Sequence, residues 1–407
     1  MKKARLNWLQ TILAATVALF ASSCTTAPER DIIAENFKVA EQQTAGLLEA
    51  SLKGGTVRTP STYINGEIDF VPIDDWVSGF FAGTLWYLYE YTGDEKWREG
   101  AIKHTELLDP IQYLTWHHDV GFMIYCSYGN GLRLTYNQDY VKVITTTAES
   151  LSTRFHEAPG VILSWNVDRG WQGERGWQYP VIIDNMMNLE LMFEASKMSG
   201  NNKYRDIAIR HADRTMVEQF RADGSTYHVV DYDPKSGEVR RRCTAQGYAD
   251  ESAWARGQAW AIYGYTTCYR YTQDQKYLDQ AEIVHDFIFS HRNLPSDLVP
   301  YWDYNAPNQP DEPRDASSAA ITASALYELY TYTHNEEYRK TADQIIESLS
   351  TEAYRAANGE NGGFILKHSV GSIPHGSNID VPLNYADYYF LEALLRKQRV
   401  DKGEKLF

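Results

Sequence analysis

One short pattern recurs along the chain and limits what it can fold into. The stretches GDEKWREGA (93–101), GNNKYRDIA (200–208), QDQKYLDQA (273–281) and HNEEYRKTA (334–342) each pass from a polar turn to an aromatic residue, with alanine four positions later. A fifth copy, NQDYVKVI (137–144), keeps Tyr140 and has Ile144 in place of alanine. A spacing of four puts both residues on one face of a helix. Each copy therefore opens a helix with an apolar stripe and charges outside it.

A different kind of helix precedes each turn. Residues 76–92, 121–134, 185–198, 257–272, 318–333 and 385–396 are apolar nearly all round, which marks inner helices. Residues 31–50 supply a sixth amphipathic partner. Six inner and six outer helices in alternation predict an all-α (α/α)6 barrel as a single domain over 35–398, followed by a tail, 399–407. A stack of helical hairpins would show shorter and more regular repeats.

The first residues have another purpose. Lys2, Lys3 and Arg5 precede an apolar stretch from Trp8 to Ala21, then ASSC ending at Cys24. This is the pattern of a signal peptide, residues 1–23. Small residues before a cysteine resemble a bacterial lipoprotein cleavage site, with Cys24 the lipidated residue. Ordinary secretion is the plainer alternative. Residues 24–34 read as a tether. The expectation is an exported protein held to a membrane by a lipid anchor only. Losing the three basic residues takes the formal net charge from −15 to −18. Such a chain repels nucleic acid. Cys126, Cys243 and Cys268 are too scattered for a disulfide framework or a metal site.

The polar residues gather before the inner helices. DDW (74–76), HHD (117–119), ID (183–184), WARGQ (254–258), RDASS (314–318) and LNYAD (383–387) meet at one mouth if those helices run parallel. Asp184 heads an otherwise apolar run, and a buried carboxylate must be satisfied or used. Capping a helix is one reading, since Asp is a favoured cap. A site is the other. Asp119 before the preceding inner helix, with His117, His118, His228 and Arg256, favours the site. No histidine pair has the spacing of helical zinc motifs. The chain also has 11 Trp and 29 Tyr. Trp165, Trp171 and Trp177 share one glycine-containing loop, where tryptophan suits stacking on a sugar ring.

The stretches WVSGFFAGTLWYLYEYTGD, HHDVGF, VIIDNMMNLE, DGSTYHVVDYD, QGYADESAWARGQAWAIYGY, PYWDYNAP, RDASSAAITASALYEL and YADYYFLEALLR together resemble glycoside hydrolase family 88, the unsaturated glucuronyl hydrolases, across 35–398. The resemblance implies the (α/α)6 barrel and no metal or organic cofactor. It implies a substrate left by a polysaccharide lyase, with a 4,5-unsaturated uronic acid at its non-reducing end, taken from chondroitin, hyaluronan or heparin. The double bond is hydrated. Asp184 then matches the general acid and base, and Asp119 the second essential acid. His228 and Gln246 match contacts to the uronate and water, and Trp76 and His118 further ring contacts. Arg256 matches a contact to charge and Trp260 a contact to a ring face. Trp165 is the expected stacking residue of its loop. For Arg256 an ion pair with Asp250 or Glu251 is the structural alternative. In residues 367–382, read as facing the second sugar, Lys367 is the only cation. A pectin-derived galacturonyl-rhamnose substrate, a sugar 2-epimerase and a non-catalytic glycan-binding lipoprotein are the competing readings.

Overall fold

The computed structural model describes residues 30–407. The signal peptide and Cys24 lie outside the described residues. Six outer helices, α1 (Ile32–Leu52), α3 (Glu95–Glu106), α6 (Gln138–Ser152), α9 (Asn202–Glu218), α11 (Gln275–Ser290) and α13 (Glu336–Leu349), alternate along the chain with six inner segments. The inner segments begin with α2 (Phe80–Thr92). The second runs through α4 (Val120–Ile124), a π-helical turn (Tyr125–Gly129) and α5 (Asn130–Thr135). The third is a 3₁₀ turn (Ile183–Asn188) leading into α8 (Leu189–Ser199). The last three are α10 (Ala255–Thr272), α12 (Ala316–Thr333) and α14 (Asn384–Asp401). The ring closes because α14 packs on both α12 and α2. The molecule is the expected (α/α)6 barrel.

The repeat has a physical cause. In five hairpins the residue after the inner helix is left-handed: Gly93, Tyr136, Gly200, Gln273 and His334. Its backbone N–H returns to a carbonyl of the last inner turn. The next residue caps the outer helix. Asp94, Asn137, Asn201, Asp274 and Asn335 each accept a backbone N–H two residues on. The hydroxyl of Thr92, Thr135, Ser199, Thr272 or Thr333 accepts the N–H of that cap. Three residues after the cap stands the aromatic, buried in every copy. Burial of one such side chain contributes about 1.5–3 kcal/mol.

Three boundaries differ from expectation. The third inner helix starts in a tight 3₁₀ turn, so Asp184 is not at an α-helical N-terminus. At the other end α14 runs on to Asp401 and Leu406 is buried, so 399–407 belongs to the domain. The expected tether also gives way early, because α1 starts at Ile32. Among the described residues no helix is long and apolar enough to cross a membrane.

Among the described residues, the helical reading also missed nine short strands. They are β1 (Thr59–Ile64), β2 (Glu67–Val71), β3 (Phe155–His156), β4 (Val161–Ile162), β5 (Pro180–Ile182), β6 (Val229–Tyr232), β7 (Val239–Cys243), β8 (Ser369–Ser372) and β9 (Ser377–Val381). Three antiparallel pairs and the three-stranded sheet β5–β6–β7 occupy the loops that lead into or join the helices. The short helix α7 (Gly170–Glu174) lies in the tryptophan loop.

Candidate active site

The three-stranded sheet builds the centre of the site. Strand β5 pairs antiparallel with β6, with Ile182 opposite Val229. One residue on, the Ile183 N–H donates to the His228 carbonyl at 3.1 Å. That register sets Asp184 and His228 side by side, with Asp184 Oδ2 3.7 Å from His228 Nε2. Strand β7 completes the arrangement. Beyond Cys243 the backbone N–H groups of Ala245 and Gln246 donate to His228 Nδ1 at 3.0 and 3.2 Å. A nitrogen that accepts two N–H bonds carries no proton, so the ring proton of His228 is on Nε2 and points at Asp184. Burial and the nearby Arg256 hold the imidazole neutral, with its pKa down to about 3.

Asp119 stands on the second inner segment between two histidines. Its Oδ2 is 3.2 Å from His117 Nδ1 and its Oδ1 is 3.2 Å from His118 Nε2. His117 Nε2 donates to the Asp74 carbonyl at 3.1 Å. The fully buried Asn188 meets His118 Nδ1 at 3.2 Å. Asp119 stands at a cap position without making the capping bond, and Asp184 is the second residue of its 3₁₀ turn, past the cap position held by Ile182. The capping reading of Asp184 is thereby set aside. Asp315, in contrast, caps α12.

Asp184 and Asp119 share a cavity of about 160 Å³ with Trp76, Trp165, Trp171, Ile182, Gln246 and His375. Trp165 meets Trp171 edge-on at 5.0 Å and lies 6.1 Å from His228. Trp177 is buried behind Trp165 at 5.8 Å. His375 comes from the turn between β8 and β9, packs on Trp171 at 4.8 Å, and its Nδ1 is 2.7 Å from Ser372 Oγ. It lies in residues 367–382, the stretch read as facing the second sugar.

Three expected contacts are placed differently, and His118 is the first: it is 0% exposed and outside the cavity lining, behind Asp119. Arg256 is 1% exposed and is not part of the cavity lining. It pairs with Asp315 at 3.3 Å, not with Asp250 or Glu251, and donates to the Val370 and Gly371 carbonyls. It anchors β8 to the barrel. Trp260 is 0% exposed, with Phe122 and Tyr389 edge-on around it at 5.3 and 5.5 Å. It presents no ring face to the cavity. Its Nε1 has no hydrogen-bond partner of normal geometry, yet lies close enough to favour the ionised form of Asp184. Lys367 also turns away, donating to the Glu352 carbonyl at 2.6 Å.

Burial raises the Asp184 carboxyl to about 7, against the opposing pull of Arg256 and with help from Asp119. Asp119 is held below its ordinary range because His118 and His117 outweigh its burial. The two acids thus have opposite characters at neutral pH. A raised carboxyl is not diagnostic by itself. Burial also lifts Asp387 to about 7, but both its oxygens accept backbone N–H bonds, from Ile365 and Leu366. Asp184 Oδ2 and His228 Nε2 have no partner, and they face one another. Among the described residues no cluster of His, Cys, Asp and Glu is arranged to hold a metal ion.

A larger cavity of about 650 Å³ lies at the other ends of the inner helices. Its charges satisfy one another: Arg270 with Glu190 and Glu328, Arg396 with Glu328 and Glu392, and Arg133 and Arg399 with Glu90. No carboxyl there is left over for chemistry.

The model of glycosyl hydrolase family 88 matches residues 55–270. An unsaturated glucuronyl hydrolase of Formosa agariphila is 50% identical over 332 residues, 81% of this chain and 82% of the relative. An unsaturated chondroitin disaccharide hydrolase of Streptococcus pyogenes is 33% identical over 351 residues, 83% of this chain and 84% of the relative. A crystal structure of an unsaturated glucuronyl hydrolase specific for heparin superposes with a TM-score of 0.87 at 45% identity, covering 91% of this chain and 98% of that one.

Proposed function

Because the chain belongs to glycosyl hydrolase family 88, we propose that Asp184 gives its proton to a carbon–carbon double bond and not to a glycosidic oxygen. The chain is a glycoside hydrolase with the activity of an unsaturated glucuronyl hydrolase. It releases the 4,5-unsaturated uronic acid from the non-reducing end of lyase-generated glycosaminoglycan oligosaccharides by hydrating C4=C5.

The chemistry calls for the acid that the site supplies. The C4=C5 bond is a vinyl ether conjugated to a carboxylate. Protonated Asp184 delivers its proton to C4, and the positive charge formed at C5 is shared with the ring oxygen. Water adds at C5, and the Asp184 carboxylate takes up the proton that this water loses. The hemiketal opens to a ketone, the hemiacetal left at C1 collapses, and the second sugar departs as an alcohol. One carboxyl group acts as acid and then as base. The distance between two carboxylates that separates retaining from inverting glycosidases has no part in this reaction.

The single observation that carries this reading is the facing pair. Asp184 Oδ2 and the fixed donor His228 Nε2 are both buried and unpartnered, 3.7 Å apart. The His228 N–H holds the water oxygen or the uronate beside the acid. Asp119 stays ionised, binds ring hydroxyls, and keeps the proton on Asp184. Trp76, Trp165 and Trp171 supply ring faces, and Gln246 and His375 reach polar groups. The conjugated bond absorbs in the ultraviolet and hydration removes the signal. The expected result is loss of absorbance with the wild type and none with Asp184→Asn. Turnover by that variant would refute the assignment. Heparin-type disaccharides head the panel, because a relative 45% identical is specific for heparin, with chondroitin and hyaluronan types beside them.

The chain is further proposed to be exported and lipid-anchored through Cys24, on the pattern of its first residues. Cys24→Ala is expected to leave the membrane fraction. Retention there would overturn the anchor.

A further inference from the structure

Asp119 sits at the N-cap position of α4, yet its side chain caps nothing. The missing bond comes from the neighbouring inner segment. Asn188 Oδ1 accepts the backbone N–H of Phe122, three residues into the helix from Asp119, at 3.1 Å. That is one of the donors a cap normally satisfies. With Oδ1 so committed, the amide has one orientation. Its Nδ2 faces Asn185 Oδ1 at 3.1 Å and His118 Nδ1 at 3.2 Å. Asn185 is oriented in turn, since its Nδ2 donates to the Ile162 carbonyl at 2.7 Å. His118, Asn185 and Asn188 are all 0% exposed. The approach needs Gly121, where an added Cβ would stand 2.4 Å from Asn188 Oδ1 and 2.6 Å from its Cα.

An amide nitrogen only donates. His118 Nδ1 must therefore accept, and it carries no proton. The one ring proton sits on Nε2, which faces Asp119 Oδ1 at 3.2 Å. We propose that Asn188 is a positioning residue: it takes the α4 cap in place of Asp119 and locks His118 with its proton on Nε2, so that Asp119 turns neither oxygen to the helix and meets an N–H, not a lone pair, at Oδ1. This rests on the reading of Asp119 as the second essential acid. Asn188 itself touches neither substrate nor the reacting atoms. An Asp119 that served as the cap would turn an oxygen toward Phe122 and away from the cavity. A His118 with its proton on Nδ1 would set a lone pair against the Asp119 carboxylate.

Asn188→Asp is the discriminating variant. It keeps the oxygen on Phe122 and replaces the donor that meets both His118 Nδ1 and Asn185 Oδ1. Two measurements read it: nitrogen NMR of histidine-labelled protein, with His118 assigned through His118→Gln, and kcat as a function of pH. In the wild type, His118 is expected to show a bare Nδ1 and a protonated Nε2 throughout the active pH range. In the variant, Nδ1 is expected to be protonated, with kcat down about tenfold and KM changed less, beside a lower thermal midpoint from the buried carboxylate. A proton on His118 Nδ1 in the wild type overturns the proposal whatever the variants do. So does an Asn188→Asp enzyme whose His118 signals and pH profile are those of the wild type. A purely structural role would lower the thermal midpoint and leave both readouts unmoved. Turnover by Asp184→Asn would sink the catalytic reading without touching the His118 spectrum, so the two failures are distinguishable.

Discussion

His228 Nε2 stands 3.7 Å from Asp184 Oδ2, and the pairing of Ile182 with Val229 puts it there. The histidine is neutral with its proton on the facing nitrogen, and the acid holds its proton up to about pH 7. What reaches the cavity is therefore a proton donor beside a fixed N–H.

Asp184→Asn removes the acid and keeps the shape. Turnover is expected to fall by at least about a thousandfold. Stability changes with a definite sign. A carboxyl whose folded pKa is raised stabilises the fold fully below its unfolded value and loses that contribution as pH rises through about 7. Asparagine has nothing to lose. The variant is expected to be more stable than the wild type at pH 8 to 9, with the gap closing at lower pH, as read by denaturant titrations across pH.

Asp119→Asn tests the coupling between the acids. The Asp119 charge helps hold the proton on Asp184. Without it, activity is expected to drop and the alkaline limb of the kcat profile to move to lower pH. An alkaline limb that stays in place in a weakened enzyme would mean that Asp119 acts on the sugar alone.

Arg256→Met is expected to act in two ways. Asp315 loses its buried partner, which costs about 3–5 kcal/mol in chemical denaturation. The positive field that opposes protonation of Asp184 also goes, so the alkaline limb moves to higher pH in whatever enzyme folds. A variant with full stability would show that Arg256 does not anchor β8 to the barrel.

The turn repeat offers a stability prediction away from the site. His334 is left-handed at φ 54°, where a side chain is strained. His334→Gly is expected to stabilise the fold by about 1 kcal/mol with kcat unchanged. Asn335→Ala, one residue on, removes a cap and is expected to cost about 1 kcal/mol. Thermal midpoints of the two variants should move in opposite directions.

By itself, the sequence determined the ring. Alternation of all-apolar and one-faced helices, a cap and an aromatic three residues later are local features, set by contacts within a turn or two of helix. Six inner and six outer helices, five of the outer ones led by that cap and aromatic, suffice to order an (α/α)6 barrel. The same locality made Asp184 and Asp119 conspicuous, as charged residues at the heads of apolar runs. Tertiary structure decided what those acids are. Pairing of β5 with β6 chose His228 as the neighbour of Asp184, and short strands between helices leave no periodicity to read. Asn188 freed Asp119 from capping through a contact between two inner segments, visible beforehand only as a polar residue on an apolar helix. Arg256 and Trp260 carry residue types that suit a sugar acid, yet the barrel buries both. Residue type is written in the chain. Exposure, partner and protonation state depend on which distant segments pack together, and a linear pattern does not encode them.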